Sequence, residues 1–365
     1  QIQNGANIKQ GDVEGGFPIT RIETTANDKF NRDRMGYAGI TDISKYEAYV
    51  LEDGDLLMSH INSVQYLGRT VLYVKQPDEI IIHGMNLLRL KARRNIINPA
   101  YARYCFYGHT FRCQIGNITK KSVNQASFAV KDLKQIKIEV PSLDVQNKVV
   151  VILDRVQKII DMRNNELASL DDLIKARFVE MFGSIHESTK YPYIAVKDLT
   201  DITSGGTPSR DKTEYWDNGT IPWVKTTELQ NNVLIDVDEH ITEAGLAGSS
   251  AKLVPVGTIL VAMYGQGKTR GMTAYLGVEA STNQACACIL PSDKVDSMFM
   301  WKYFELSYDK LRSLAQGAGQ PNLNGNMIKN FQVLVPPIEL QKEYVDFVHQ
   351  INKSKVVDID KKDKL

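Results

Sequence analysis

The chain has 365 residues, 43% of them apolar and 24% charged, with a formal net charge of +1. That composition suits a folded protein of about two domains and excludes a disordered one. No run of about 18 apolar residues could cross a bilayer, no basic-then-apolar leader is present, and four scattered cysteines (Cys105, Cys113, Cys286, Cys288) make neither a disulfide framework nor a zinc site. The expectation is a cytoplasmic, metal-free protein whose natural start lies upstream of Gln1.

Charge is unevenly spread: residues 1–140 carry net +5, 142–183 net −1, 184–335 net −3 and 336–365 net 0. A surface for nucleic acid would therefore be a local patch and not a global field.

Residues 1–141 form the first predicted domain, mixed α/β, with short apolar runs bounded by Gly, Asn, Asp and Pro. Strands are expected at 56–58, 71–74, 80–82 and 86–90, and a short helix at 99–106, where aromatic residues recur at helical spacing. Residues 142–183 are predicted as one long helix. From 144 to 182 there is no Gly or Pro, and steps of four and three run through Val149, Leu153, Val156, Ile160, Arg163, Leu167, Leu170, Ile174, Arg177 and Met181. Eight of those ten are apolar, a coiled-coil pattern that needs a partner, and Gly183 supplies the stop. Residues 184–336 form the second domain, with strands at 258–261, 273–276 and 285–290 and a helix at 297–305. Residues 337–365 start a second, shorter helix that puts Tyr344, Val348 and Ile351 on the first helix's Val149, Leu153 and Val156, then lose the seam at Lys355 and Asp358.

The second domain is the first written again. Residues 2–7 align with 202–207, Gly54-Asp55-Leu56-Leu57-Met58 with Gly257-Thr258-Ile259-Leu260-Val261, Gly68-Arg69-Thr70 with Gly271-Met272-Thr273, and 131–141 with 326–336, running on into Gln146 and Gln341. Four blocks in preserved order mean domain duplication. The expected fold is α+β: two similar lobes joined by long antiparallel coiled-coil helices about a pseudo-two-fold axis, holding two recognition surfaces at a set separation.

Several segments resemble a known family. Ser204-Gly205-Gly206-Thr207-Pro208-Ser209, Glu214-Tyr215-Trp216 and Gly219-Thr220-Ile221-Pro222-Trp223-Val224-Lys225 resemble the opening of a target-recognition domain in Type I restriction–modification specificity subunits. Ser281-Thr282-Asn283-Gln284-Ala285-Cys286 is similar to its lead into a central strand. Gly317-Ala318-Gly319-Gln320-Pro321-Asn322-Leu323, then Val335-Pro336-Pro337-Ile338-Glu339-Leu340-Gln341, resembles its ending and helix entry. The first half carries looser versions at 124–128 and 140–146. The family places a strand or short helix before the first Gly turn, as at 194–202; the first domain here starts without it.

The resemblance implies a non-catalytic reader of a bipartite double-stranded DNA target. It docks methyltransferase subunits, two of them, and restriction subunits where they exist, with no membrane role. S-adenosylmethionine would sit on the methyltransferase, and ATP and Mg on the restriction subunit. The chain is expected to lack a Gly-x-Gly cofactor loop after a strand, a Walker loop, a His-Glu-x-x-His helix and a Gly-x-Ser-x-Gly elbow, and so to have no chemistry of its own. The alternative is a two-lobed coiled-coil scaffold that never touches DNA.

Base reading needs amides, hydroxyls and guanidinium groups on exposed loops, and phosphates need Lys or Arg. The candidates in the first domain are His60, Asn62, Gln65 and Arg69, with Arg32, Arg34, Lys120, Lys121, Asn124 and Gln125 as phosphate clamps. Those in the second are Lys225, Thr226, Thr227, Tyr264, Gln266, Lys268, Thr269 and Arg270.

Overall fold

The computed structural model describes residues 1–11, 15–122, 125–265, 267–316 and 321–360, with side chains as far as Lys355. Asn124, Gln266 and residues 317–320 lie outside the described residues. The chain divides into two compact units, Gln1–Met162 and Arg163–Leu365.

In unit 1 the strands are β1 (Ile2–Asn4), β2 (Leu56–Ser59), β3 (Ile61–Asn62), β4 (Thr70–Leu72) and β5 (Leu87–Leu90). Helices α1 (Pro99–Tyr107) and α2 (His109–Ile118) follow, then β6 (Lys120–Lys121), β7 (Ala126–Ser127) and α3 (Val130–Leu133). The central sheet runs β1-β5-β2-β4, antiparallel throughout. All four residues of β2 are buried, because both faces of the sheet are covered. Leu56 and Met58 pack with Phe106 and Phe111 of the helices, while Leu57 packs with Val71 and Tyr73 on the other side. The strand expected at 80–82 is absent as a ladder. Ile82 is instead bridged singly to Ile19 and to Val50, and Ile81 and Ile82 are buried by those flanking segments.

The helix α4 (Leu143–Phe182) runs unbroken for 40 residues. Gly183 ends it with φ at +86°, and a Cβ there would meet the Ser188 hydroxyl.

Unit 2 then takes β8 (Tyr193–Ala195), α5 (Val196–Leu199), β9 (Ile202–Ser204), β10 (Ile221–Val224), β11 (Asn232–Leu234), β12 (His240–Ile241) and α6 (Glu243–Ala247). After these come β13 (Ile259–Ala262), β14 (Thr273–Leu276), β15 (Ser281–Thr282) and β16 (Cys286–Ile289). The unit closes with α7 (Ser297–Leu306), α8 (Tyr308–Ser313), α9 (Gly325–Lys329), β17 (Gln332–Leu334) and α10 (Ile338–Asp360). Its main sheet, β9-β16-β13-β14-β11, repeats the order of unit 1 and adds β11 parallel to β14. Unit 2 also pairs β17 with β8. Residues 137–139, which stand where β17 stands, form no strand. Instead, the Gln114 side-chain amide bonds both the N–H and the carbonyl of Lys137.

Two glutamines show how closely the units agree. Gln146 Oε1 accepts from the N–H of Asn98, the cap of α1, at 2.8 Å, and its Nε2 donates to the Pro141 carbonyl at 2.7 Å. Gln341 Oε1 accepts from the N–H of Asp296, the cap of α7, at 2.8 Å, and its Nε2 donates to the Pro336 carbonyl at 2.7 Å. Each buried amide locks a long helix's entry to a short helix's start, so neither of its polar groups is orphaned.

The α4 seam departs from its expected register at its C-terminal end. Ile174 is buried as expected, but Phe178 and Phe182 take the core positions instead of Arg177 and Met181. Phe178 lies 5.0 Å from Phe182, 6.0 Å from Phe299 and 5.5 Å from Tyr344 between ring centroids, and Val348 joins the same cluster with Ile351 packed on it. This end of α4 is thus a core helix of unit 2, so its buried stripe widens beyond a two-position seam. The α10 helix runs antiparallel to it: Arg177 meets Glu343, and further along α10 Lys355 meets Asp171. Leu153, Leu167 and Leu170 are half-buried, whereas Val156 and Ile160 are 47% and 40% exposed.

Candidate nucleic-acid interface

In unit 1 the hairpin β2–β4 is closed by residues 60–69, and it does not simply wave in solvent. Its β3 joins a small sheet, β3-β7-β6, in which Asn62 and Lys121 both oppose Ala126. Directly opposed residues point to the same face, so Asn62 and Lys121, 59 residues apart in sequence, share one surface. Lys120, opposite Ser127, points to the other face. Gln65, Lys120, Lys121 and Gln125 are exposed, and Val64 and Tyr66 stand out at the loop's 3-10 turn.

Several candidates in this loop already have work to do. The Asn62 carbonyl oxygen accepts from the Ser63 N–H, and its amide donates to the Ser59 hydroxyl. Arg69 pairs with Asp28 at 2.7 Å and stacks over Tyr66. His60 is half-buried, and that burial keeps its ring below the usual histidine range. Arg34 is exposed on a separate 3-10 turn.

Arg32 is already engaged within the unit. Its guanidinium grips Glu79 through two bonds, 2.6 and 3.0 Å, while Tyr73 donates to the same carboxylate at 2.8 Å. The arginine holds the Glu79 carboxyl down to about 2. A cation so neutralised has little left for a phosphate.

Unit 2 closes β13–β14 with residues 263–272 at the equivalent place. The equivalence reaches single hydrogen bonds: Phe128 N donates to the His60 carbonyl at 3.2 Å, and Leu323 N to the Met263 carbonyl at 3.0 Å. Gly265, Gly267 and Gly271 all have positive φ, which lets this loop turn without strain. Its base is clamped from α8, where Tyr308 donates to the Lys268 carbonyl at 2.7 Å and Arg312 to the Arg270 carbonyl at 2.8 Å. Tyr264 and Lys268 are exposed and Thr269 half-buried. Arg270 turns inward and donates to the Pro321 carbonyl. The string Ala262-Met263-Tyr264-Gly265-Gln266-Gly267-Lys268-Thr269 loosely matches a phosphate loop, a match the sequence reading passed over. It leads into strand β14, however, and not into a helix.

Backbone pairing gathers the other unit 2 candidates at the same end of the sheet. Met263 N donates to the Ala285 carbonyl, and Asn283 N to the Val224 carbonyl, immediately before Lys225. Asn231 N donates to the Thr273 carbonyl and closes the turn that carries Thr226 and Thr227. Lys225 reaches Glu239 at 3.0 Å, which raises its ammonium above the usual lysine range. Sequence reasoning missed Thr207, Arg210 and Gln284 at this end. Thr207 and Gln284 bond side chain to side chain, and Arg210 shares Glu239 with Lys225. Gln320 lies outside the described residues, while Asn324 caps α9 by accepting from Met327 N.

Among the described residues, no group of three His, Cys, Asp or Glu side chains is placed to hold a metal, and no helix is long and apolar enough to cross a membrane.

Comparison with known proteins agrees with this duplicated arrangement. A relative in Methanocaldococcus jannaschii, a specificity subunit named for the type I restriction enzyme MjaX, is 26% identical over 394 aligned positions, covering 100% of this chain and 86% of its own. The EcoR124I/EcoR124II type I restriction enzyme specificity subunit of Escherichia coli is 24% identical over 61% of this chain and 57% of its own. The solved S subunit of a type I restriction–modification system from M. genitalium shares the fold at a TM-score of 0.53 and 13% identity, over 97% of this chain and 87% of its own. The family described as Type I restriction modification DNA specificity domain matches residues 1–172 and 188–364, and this chain belongs to it.

Proposed function

We propose that this chain is the DNA-reading subunit of a Type I restriction–modification complex, each unit reading one half of a split target. The observation that carries the reading is the repeated hairpin loop. Both units close the same antiparallel pair with a segment rich in amides, hydroxyls and cations, and both return the same backbone donor to its first residue. Such side chains read base edges, and neighbouring lysines meet phosphates. On this reading His60, Asn62, Gln65 and Arg69 face one half-site, with Arg34, Lys121 and Gln125 on its phosphates. Lys225, Thr226, Thr227, Tyr264, Lys268 and Thr269 face the other.

The helix α4 supports docking of methyltransferase subunits, two in the assembled complex. Val145, Ile152 and Ile159 recur every seven residues and are 44%, 59% and 59% exposed, with Val156, Ile160 and Met162 beside them. Water-facing apolar stripes of this kind mark protein partners. S-adenosylmethionine would be bound by those subunits, and ATP with Mg by a restriction subunit. This chain would add recognition and no catalytic group, in the cytoplasm where the target is reached.

A mobility-shift titration of the chain with its methyltransferase partner tests the reading. Affinity should fall steeply with salt, and changing Lys121 to Ala should weaken all sequences alike and reduce the salt slope by about 1. A complex indifferent to DNA at low salt would leave only a scaffold.

A further inference from the structure

We propose that Arg210 is a base-reading residue of unit 2, taking a guanine through its O6 and N7 edge; this rests on the DNA-reading function above. Its guanidinium lies 3.6 Å from the Trp216 ring centroid and 5.0 Å from that of Trp223. The two indoles stand at 90° to each other, 5.1 Å apart. Neither can shift easily, because Trp223 Nε1 donates to the Gly206 carbonyl and Trp216 Nε1 to the Ser209 carbonyl. Both indoles therefore pin the turn that carries Arg210, and one of them is its shelf. Glu239 holds Arg210 Nη2 at 2.6 Å.

A side chain fixed by an aromatic face and a carboxylate should be buried, yet Arg210 is 53% exposed. Its rotamer entropy is largely lost before any ligand arrives, so a contact made by the remaining N–H edge does not have to offset it. Chemistry selects the ligand. Glu239, with Asp238 beside Lys225, offsets the two cations, so a phosphate gains little from the guanidinium. A guanine edge presents two neutral acceptors that need a planar fork in fixed orientation. The position agrees, since Glu239 also holds Lys225 at the sheet end where Gln284 and residues 263–272 gather. Arg270, the arginine expected to read here, is folded back on Pro321.

Unit 1 has no indole shelf, because all three tryptophans of the chain (Trp216, Trp223, Trp301) lie in unit 2, and its stacked loop arginine, Arg69, lies over Tyr66. The effect should therefore fall on one half-site alone.

The test is binding-site selection from randomised duplexes by the chain with its methyltransferase partner, comparing wild type, Arg210→Ala and Arg210→Lys. Arg210→Lys keeps the charge over the indole and preserves the fold even if Arg210→Ala does not, but it lacks the fork. The expected result is loss of one guanine preference by about 5- to 150-fold in one half-site, with both variants alike and the salt slope unchanged. A lysine variant that keeps the preference, or weakens every sequence equally, overturns the inference alone. A wild-type complex that selects no sequence overturns the DNA-reading function with it.

Discussion

Gln146 and Gln341 each bury one amide between a helix entry and a helix cap, and each satisfies a backbone N–H that has no other partner. Replacing Gln341 by Ala should orphan the Asp296 N–H and cost about 1–3 kcal/mol, read as a lower urea midpoint with unchanged slope. An unchanged midpoint would mean that water or Asp296 itself takes over the bond. Acid sensitivity is also set by single residues. Burial pushes the His83 ring down to about 4 from its ordinary 6.5. Between those values the unfolded chain takes up a proton that the folded one refuses, so stability falls as pH drops through the window. Glu79, held at about 2 against an ordinary 4.5, adds a second loss between 4.5 and 2. His83→Gln should flatten urea midpoints measured between pH 6.5 and 4.5 relative to wild type. Parallel profiles would contradict the assignment. The sequence listed His60 and passed over His83, since nothing in a local string reveals which histidine a flanking segment will cover.

At the scale of elements, the long helix was legible because 39 residues without Gly or Pro leave no other reading. Its seam was legible only in part. A strict four-three count puts Arg177 and Met181 inside, but the aromatic side chains of α7 and α10 draw in Phe178 and Phe182. Phe178→Ala should cost about 3–5 kcal/mol in thermal or chemical denaturation. Val156→Ala, from a half-exposed position, should change stability by under about 1 kcal/mol. Equal costs would restore the plain coiled-coil register. The strands of the two central sheets were legible from their apolar runs, and Ile80-Ile81-Ile82 failed because burial by irregular segments gives the same composition as a ladder. The pairing of Arg32 was not legible for a related reason. Its partner Glu79 is 47 residues away, and only the fold brings them together.

For the whole molecule, the duplication read from four ordered blocks is the feature the structure reproduces most closely, down to matched glutamine clamps and matched loop-closing hydrogen bonds. Function was legible because motif order along the chain carries it. The bases read are not legible, because the partners of loop residues such as Arg69 and Arg270, Asp28 and Pro321, are distant in sequence and only the fold brings them together. Removing seven residues from α4 between Leu153 and Leu167 should change the permitted gap in the target while leaving both half-sites as they were. The most direct measurement is binding-site selection by the complex after residues 60–69 alone are replaced with a Gly/Ser loop. The account predicts that one half of the recovered target loses its sequence while the other half keeps it; a target lost in both halves, or in neither, would contradict it.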